Sequence, residues 1–267
     1  MRPLSMDEVL LMVKARRDVA ILFGIALALV SMGCAPAKTK PKDPATATAN
    51  NIRLAESYYQ AGRVSEALSI LQKAVDSAPT NAPLLNYYGQ LSFLAGRNDV
   101  AETSFTKALV LDPHLTDARN NLGSVYDATG KKTQAEQEYK AVLKDTTYPT
   151  PEKVYMNLGL LYGSQGRQEE AIANLRRAVE LNPKFWHGHF ELASALDRAG
   201  LLDEAAREYE VAAPDYRNNG EYHYRLGLVY MKLQQPGVAR EHLMRCQELS
   251  PGSENASKAY DLLKMLP

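Results

Sequence analysis

Two cysteines, Cys34 and Cys246, and a histidine pair, His187 and His189, are the side chains best suited to chemistry in this 267-residue chain. The histidines flank Gly188 in a stretch of helical apolar spacing, and residues two apart on a helix face different sides. They cannot share a metal. The sequence contains no HExxH, no GxSxG and no glycine-rich phosphate loop. Convergent acid, base, nucleophile or metal groups are therefore missing from the pattern. The expectation is a chain that is not an enzyme and uses no metal, cofactor or small-molecule substrate. Its 31 Lys plus Arg are balanced by 31 Asp plus Glu. No surplus of positive charge is left to neutralise phosphates, so nucleic acid is not expected as a partner.

Cys34 sits in a different kind of segment. Arg16 and Arg17 close a charged stretch, Val19 to Met32 is an uncharged, mainly apolar run, and Gly33 and Cys34 follow. The run has about 14 residues where roughly 20 are needed to cross hydrocarbon, so it reads as an export signal over residues 1–33. Met6 and Met12 would serve as starts as well as Met1. Val30-Ser31-Met32-Gly33-Cys34 resembles a bacterial lipobox, whose cysteine is acylated and becomes the new amino terminus. It departs from that motif at Ser31, where Leu is usual, and at the bulky Met32. The alternative is cleavage elsewhere with an incidental cysteine. Ala35 to Ala49 is rich in Pro, Ala, Thr and Lys without apolar periodicity, and residues 34–47 are read as a lipidated flexible tether. A covalent lipid on Cys34 would hold the chain on a membrane. An acylated Cys34 cannot pair with Cys246, which falls on an apolar repeat position and reads as a small core residue.

A repeat of about 34 residues organises the remainder. Its clearest copy has Leu158-Gly159, Tyr162, Gly166, Ala171, Leu175, Ala178 and Pro183. The same spacing recurs in six copies, at 48–81, 82–115, 116–151, 152–185, 186–219 and 220–253. A small residue beside the first Leu lets two helices cross closely. The mid-repeat glycine ends the first helix in a left-handed turn, and the late proline stops the second. No single copy can bury its apolar face, so neighbours must stack and the last needs a cover. Residues 254–267 supply a capping helix, with Ala256, Ala259, Tyr260, Leu262 and Leu263 on its apolar side. These residues and this period resemble the tetratricopeptide (TPR) family over nearly the whole of the chain after the signal and tether. The resemblance implies an all-α fold, a right-handed TPR superhelix (α-solenoid) of six helix-turn-helix repeats plus a C-terminal capping helix.

Two places depart from the pattern. Thr147-Tyr148-Pro149-Thr150-Pro151 lengthens the third repeat and should disturb the stacking there. Pro214 should end the second helix of the fifth repeat early, ahead of a polar loop at Arg217-Asn218-Asn219-Gly220. Either break could divide the array into segments or be ordinary loop variation.

In the TPR fold the first helix of each repeat lines a concave groove, and the resemblance implies that this groove binds a partner protein. Carried onto this chain, the groove positions hold Tyr87, Phe93, Asn121, Asn157, Leu160, Phe190, Tyr224 and Met231. Asn121 and Asn157 would clamp a partner's backbone, and Phe93, Phe190, Tyr224 and Met231 would be apolar anchors. Asp145 to Leu160, where a Tyr-Pro loop precedes Asn157-Leu158-Gly159, is similar to the type IV pilus pilotins (the PilF, PilW and Tgl group), as is Leu249-Ser250-Pro251-Gly252-Ser253. That resemblance implies an outer-membrane lipoprotein facing the periplasm, which helps the pilus secretin to reach that membrane and assemble. A periplasmic lipoprotein adaptor for proteases or cell-wall hydrolases is the alternative.

Overall fold

The structure, a computed structural model, describes residues 44–266. Cys34, the export signal and the tether up to residue 43 lie outside the described residues. Within them, thirteen α-helices follow one another with no strand. The first six are α1 (Pro44–Gln60), α2 (Val64–Ser77), α3 (Ala82–Leu94), α4 (Asn98–Leu111), α5 (Thr116–Ala128) and α6 (Lys132–Val142). Then come α7 (Pro151–Ser164), α8 (Gln168–Leu181), α9 (Trp186–Arg198), α10 (Leu202–Tyr216), α11 (Gly220–Lys232), α12 (Pro236–Leu249) and α13 (Glu254–Met265). Consecutive helices pair as the six repeats, and α13 closes the array.

Local sequence explains where these helices start and turn. The Asn81, Asn219 and Ser253 side chains accept from the backbone N–H of Leu84, Tyr222 and Ala256, at 3.0, 3.1 and 3.1 Å. Each such cap contributes about 1 kcal/mol. Gly200 ends the α9 turn at φ +77, whereas Gln234 does the same job in the last repeat at φ +58. Close crossing is visible at α7 and α8. A Cβ on Gly159 would stand 2.6 Å from Leu175 Cγ and 3.1 Å from the Ala171 carbonyl oxygen. Only hydrogen fits there.

Two compact units are present, one ending at Leu111 and the other beginning at Asp112. In the first, α1–α4 bury Ala67, Leu71, Leu84 and Tyr88. In the second, α5–α13 bury Tyr139 with Leu158, then Leu175 with Leu192, Tyr209 and Leu226, then Leu243, Cys246 and Ala259. The predicted repeat positions are thus core residues, Cys246 among them as a buried free thiol. Leu54 is an exception at 47% exposed, since no described helix precedes α1 to cover it.

Three expectations need correction, and one open alternative is decided. Pro44 to Ala47, assigned to the tether, form the first turn of α1. Pro214 does not end α10, which runs on to Tyr216, and Arg217 N–H reaches the Ala213 carbonyl at 2.9 Å. Near a helix end a proline removes a single backbone hydrogen bond, and the helix survives that loss. The long loop of the third repeat does not divide the array either. Asp145 accepts from Thr116 Oγ1 at 2.8 Å and Thr147 N at 3.0 Å, Tyr148 OH donates to Asp117 at 3.1 Å, and Tyr148 packs on the Val142 and Leu158 cluster. Finally, Tyr260 on α13 is 55% exposed, with Lys264 Nζ 3.9 Å from its ring centre.

Candidate partner-binding surface

The first helices of the second to sixth repeats carry the residues assigned to the groove, and the two units hold them differently. In the first unit Tyr87 is half-buried with Tyr58, Tyr59 and Ile52. Burial, then the Glu56 carboxylate beside it, pushes its hydroxyl far above the usual tyrosine range, so it stays a protonated donor. Phe93, the residue before the last of α3, is half-buried.

Within the second unit, Asn157 Nδ2 on α7 donates to Asn120 Oδ1 on α5 at 3.3 Å, which ties consecutive repeats along one face. Leu160 follows on the same side, half-buried against the core. Further along, Arg225 on α11 donates from Nε and Nη2 to Glu221 at 3.0 and 2.8 Å and from Nη1 to Ser194 Oγ at 3.0 Å. Ser194 also accepts from Arg198 at 3.1 Å, and Lys232 Nζ lies 2.5 Å from Asp197. Between α9 and α11 this face is mainly a polar ladder. It offers hydrogen bonds and charge of both signs in place of the aromatic strip that spacing suggested.

Four assignments change in consequence. Phe190 is 7% exposed: it packs edge-on to Tyr209 at 5.5 Å, lies under Tyr216 and has the Arg225 guanidinium 5.7 Å from its ring centre. It is a core residue, not an open anchor. Asn121 is 4% exposed and belongs to the interior of its unit, while its neighbour Asn120 reaches Asn157. Tyr224 and Met231 remain half-buried, but they pack with Leu262, Leu263 and Leu266 at the C-terminal end of the chain. Because α13 uses part of both side chains, Tyr87, Phe93 and Leu160 are the groove candidates with apolar surface that α13 leaves untouched. Tyr216 was missed by spacing arguments, since Pro214 pointed to a helix that stops before it.

His187 and His189 take different partners, as their helical spacing requires: His187 Nδ1 meets Tyr216 OH at 2.6 Å, and His189 Nδ1 meets Glu208 at 2.6 Å. Among the described residues no group of three or more His, Cys, Asp or Glu is placed to hold a metal ion.

Tetratricopeptide-repeat family signatures match residues 44–82, 52–116, 89–150, 152–185 and 220–253, well over half of the sequence between them. The chain belongs to the tetratricopeptide-repeat family. Among solved structures, this TPR chain superposes on PilW, described as a widely conserved type IV pilus biogenesis factor, with TM-score 0.73 at 23% identity over 80% of this chain and 98% of that one. The Pseudomonas aeruginosa PilF structure gives TM-score 0.71 at 21% identity over 82% and 99% of the two chains. These two likenesses show the fold. By sequence, Type IV pilus assembly protein PilF of Pseudomonas aeruginosa is 25% identical over 203 residues, 76% of this chain and 80% of that protein. Human Protein O-mannosyl-transferase TMTC3 is 25% identical over 197 residues, 68% of this chain. The TPR chain spans less than half the length of the first curated relatives it matches, and only 22% of TMTC3. Among the described residues no helix is long and apolar enough to cross a membrane.

Proposed function

We propose that this chain is a non-catalytic, protein-binding lipoprotein of type IV pilus biogenesis. A lipid on Cys34 would hold it to the periplasmic face of the outer membrane, where it helps the pilus secretin to localise and assemble. The observation that carries this reading is the extent of the match to pilus proteins. The described repeats correspond to 98% and 99% of the PilW and PilF chains, so the likeness spans a whole repeat array and its end, not a few shared repeats. Half-buried apolar and amide side chains on first helices within each unit, with no convergent catalytic set among the described residues, fit a docking role.

Three measurements test the reading. Secretin ring content in outer membranes should fall in a strain lacking the chain, and purified secretin should bind it directly. Cys34→Ala should leave the repeats folded while releasing the chain from membranes, because acyl chains contribute about 0.8 kcal/mol per buried CH₂. Normal rings in the deletion strain, together with recovery of a protease or wall hydrolase on the chain, would replace this reading with that of an adaptor. A Cys34→Ala variant that still sediments with outer membranes would sink the lipid anchor.

A further inference from the structure

One polar rung recurs between the two helices of a repeat. In the third repeat Arg119 Nη1 donates to Glu138 at 2.9 Å, and in the fifth His189 Nδ1 faces Glu208 at 2.6 Å. The rung in the sixth joins His223 Nδ1 to His242 Nδ1 at 2.9 Å, over the same sequence separation of 19 residues. The second nitrogen of each first-helix residue reaches a backbone carbonyl six residues earlier: Pro113 at 3.4 Å, Pro183 at 3.2 Å and Arg217 at 2.9 Å. The last repeat has therefore kept the rung and replaced its carboxylate with a second imidazole.

We propose that the His223–His242 pair is an acid-sensitive latch, which holds α11 against α12 while one facing nitrogen is bare and releases when both rings carry a second proton. The hydrogen-bond roles follow from the geometry. His223 Nε2 can only donate to the Arg217 carbonyl, so in a neutral ring its Nδ1 accepts, and His242 Nδ1–H must donate. A proton added to His242 at Nε2 leaves that bond intact. A further proton on His223 Nδ1 sets two N–H groups and two positive rings face to face. The Arg119–Glu138 rung has no such state, and at His189–Glu208 a second ring proton joins the two partners instead of setting them against each other.

Burial opposes the added charge, while the nearby carboxylates favour it. Tyr230 stacks on His242 with centroids 5.8 Å apart and planes 7° from parallel, and Tyr222 meets His223 edge-on at 5.0 Å. Facing charges are Glu210 from α10, which takes the Tyr230 hydroxyl, and Glu241, Arg245 and Glu248 from α12. Against α13, α12 presents Leu243 and Cys246. Burial lowers both histidines below the ordinary 6.5, and each also feels a positive neighbour, Arg245 for His223 and a protonated His223 for His242. With both folded values depressed, the opened state binds more protons. The closed latch is then fully stable above about pH 6.5 and loses stability as pH falls below it, by about tenfold in the opening equilibrium per pH unit and per proton.

Amide hydrogen exchange on the intact chain, corrected for the intrinsic pH effect, tests this between about pH 7.5 and about pH 5.5. Protection in α11 and α12 should drop about tenfold or more, while α7 and α8, which hold no histidine, keep theirs. H242E rebuilds the carboxylate rung of the fifth repeat and should abolish the drop. Unchanged wild-type protection, or the same drop in H242E, overturns the proposal. If H242E does not fold, nuclear magnetic resonance titration of the two wild-type rings decides: values below about 6.5 support the latch, and values at or above it overturn it.

Discussion

Tyr216 lies flat on Phe190, with ring centroids 4.6 Å apart and planes 5° from parallel, while its hydroxyl meets His187 Nδ1 at 2.6 Å. The contact exists because α10 continues two residues past Pro214. Burial, then Glu191, Asp215 and Glu221, raise the Tyr216 hydroxyl well above the usual range, which keeps it a donor to the imidazole. Tyr216→Ala should therefore uncover Phe190 and destabilise the second unit by about 1–3 kcal/mol, the loss of a stacked pair plus its buried area. Tyr216→Phe gives up only the hydrogen bond and should cost about 1 kcal/mol. Urea unfolding of the two variants checks this, and equal midpoints would show that the stack contributes nothing.

The crossing of α7 and α8 sets a second expectation. Gly159→Leu has no space, with Leu175 Cγ 2.6 Å and the Ala171 carbonyl oxygen 3.1 Å from the new Cβ. Overpacking of this kind costs about 1–3 kcal/mol. Thermal unfolding followed by circular dichroism should show a lower midpoint, and a midpoint equal to wild type would mean that the helices part without cost.

Gln234 offers an improvement in place of a loss. Its φ of +58 is left-handed, where a side chain costs roughly 1–2 kcal/mol, and every preceding repeat places glycine at the equivalent turn. Gln234→Gly should raise stability by up to about 1 kcal/mol once the greater freedom of glycine in the unfolded chain is subtracted. A lower melting temperature in this variant would show that the glutamine side chain makes a contact worth more than the strain.

Phe93 and Leu160 separate binding from folding. Both are half-buried on first helices and neither packs with α13. If they anchor a partner, truncation to Ala should weaken binding by about 2 kcal/mol each, roughly thirtyfold, with a smaller effect on the melting transition. Phe190→Ala should behave in the opposite way, costing about 3–5 kcal/mol of stability as a core truncation. Surface plasmon resonance against purified secretin gives the readout. Wild-type affinity in both Phe93→Ala and Leu160→Ala would move the contact to another surface.

What the residue pattern settled by itself is local and periodic. Gly159 needs a close crossing, Gly200 a left-handed turn, and Ala171, Leu175 and Cys246 a buried place, and each requirement repeats at the same spacing, so the helix pairs and their core could be read one residue at a time. Exposure on the first-helix face could not. Phe93 and Phe190 both fall on groove positions of the repeat frame, yet Phe190 is covered because Tyr216 arrives from the end of another helix, past a proline expected to stop it. His223 and His242 likewise show no pairing in sequence, since 19 residues and a turn separate them and only the packing of α11 on α12 brings their Nδ1 atoms to 2.9 Å. Tertiary structure decided those relationships because a side chain's burial and protonation depend on what a neighbouring helix presents to it, and the spacing along its own helix carries no record of that.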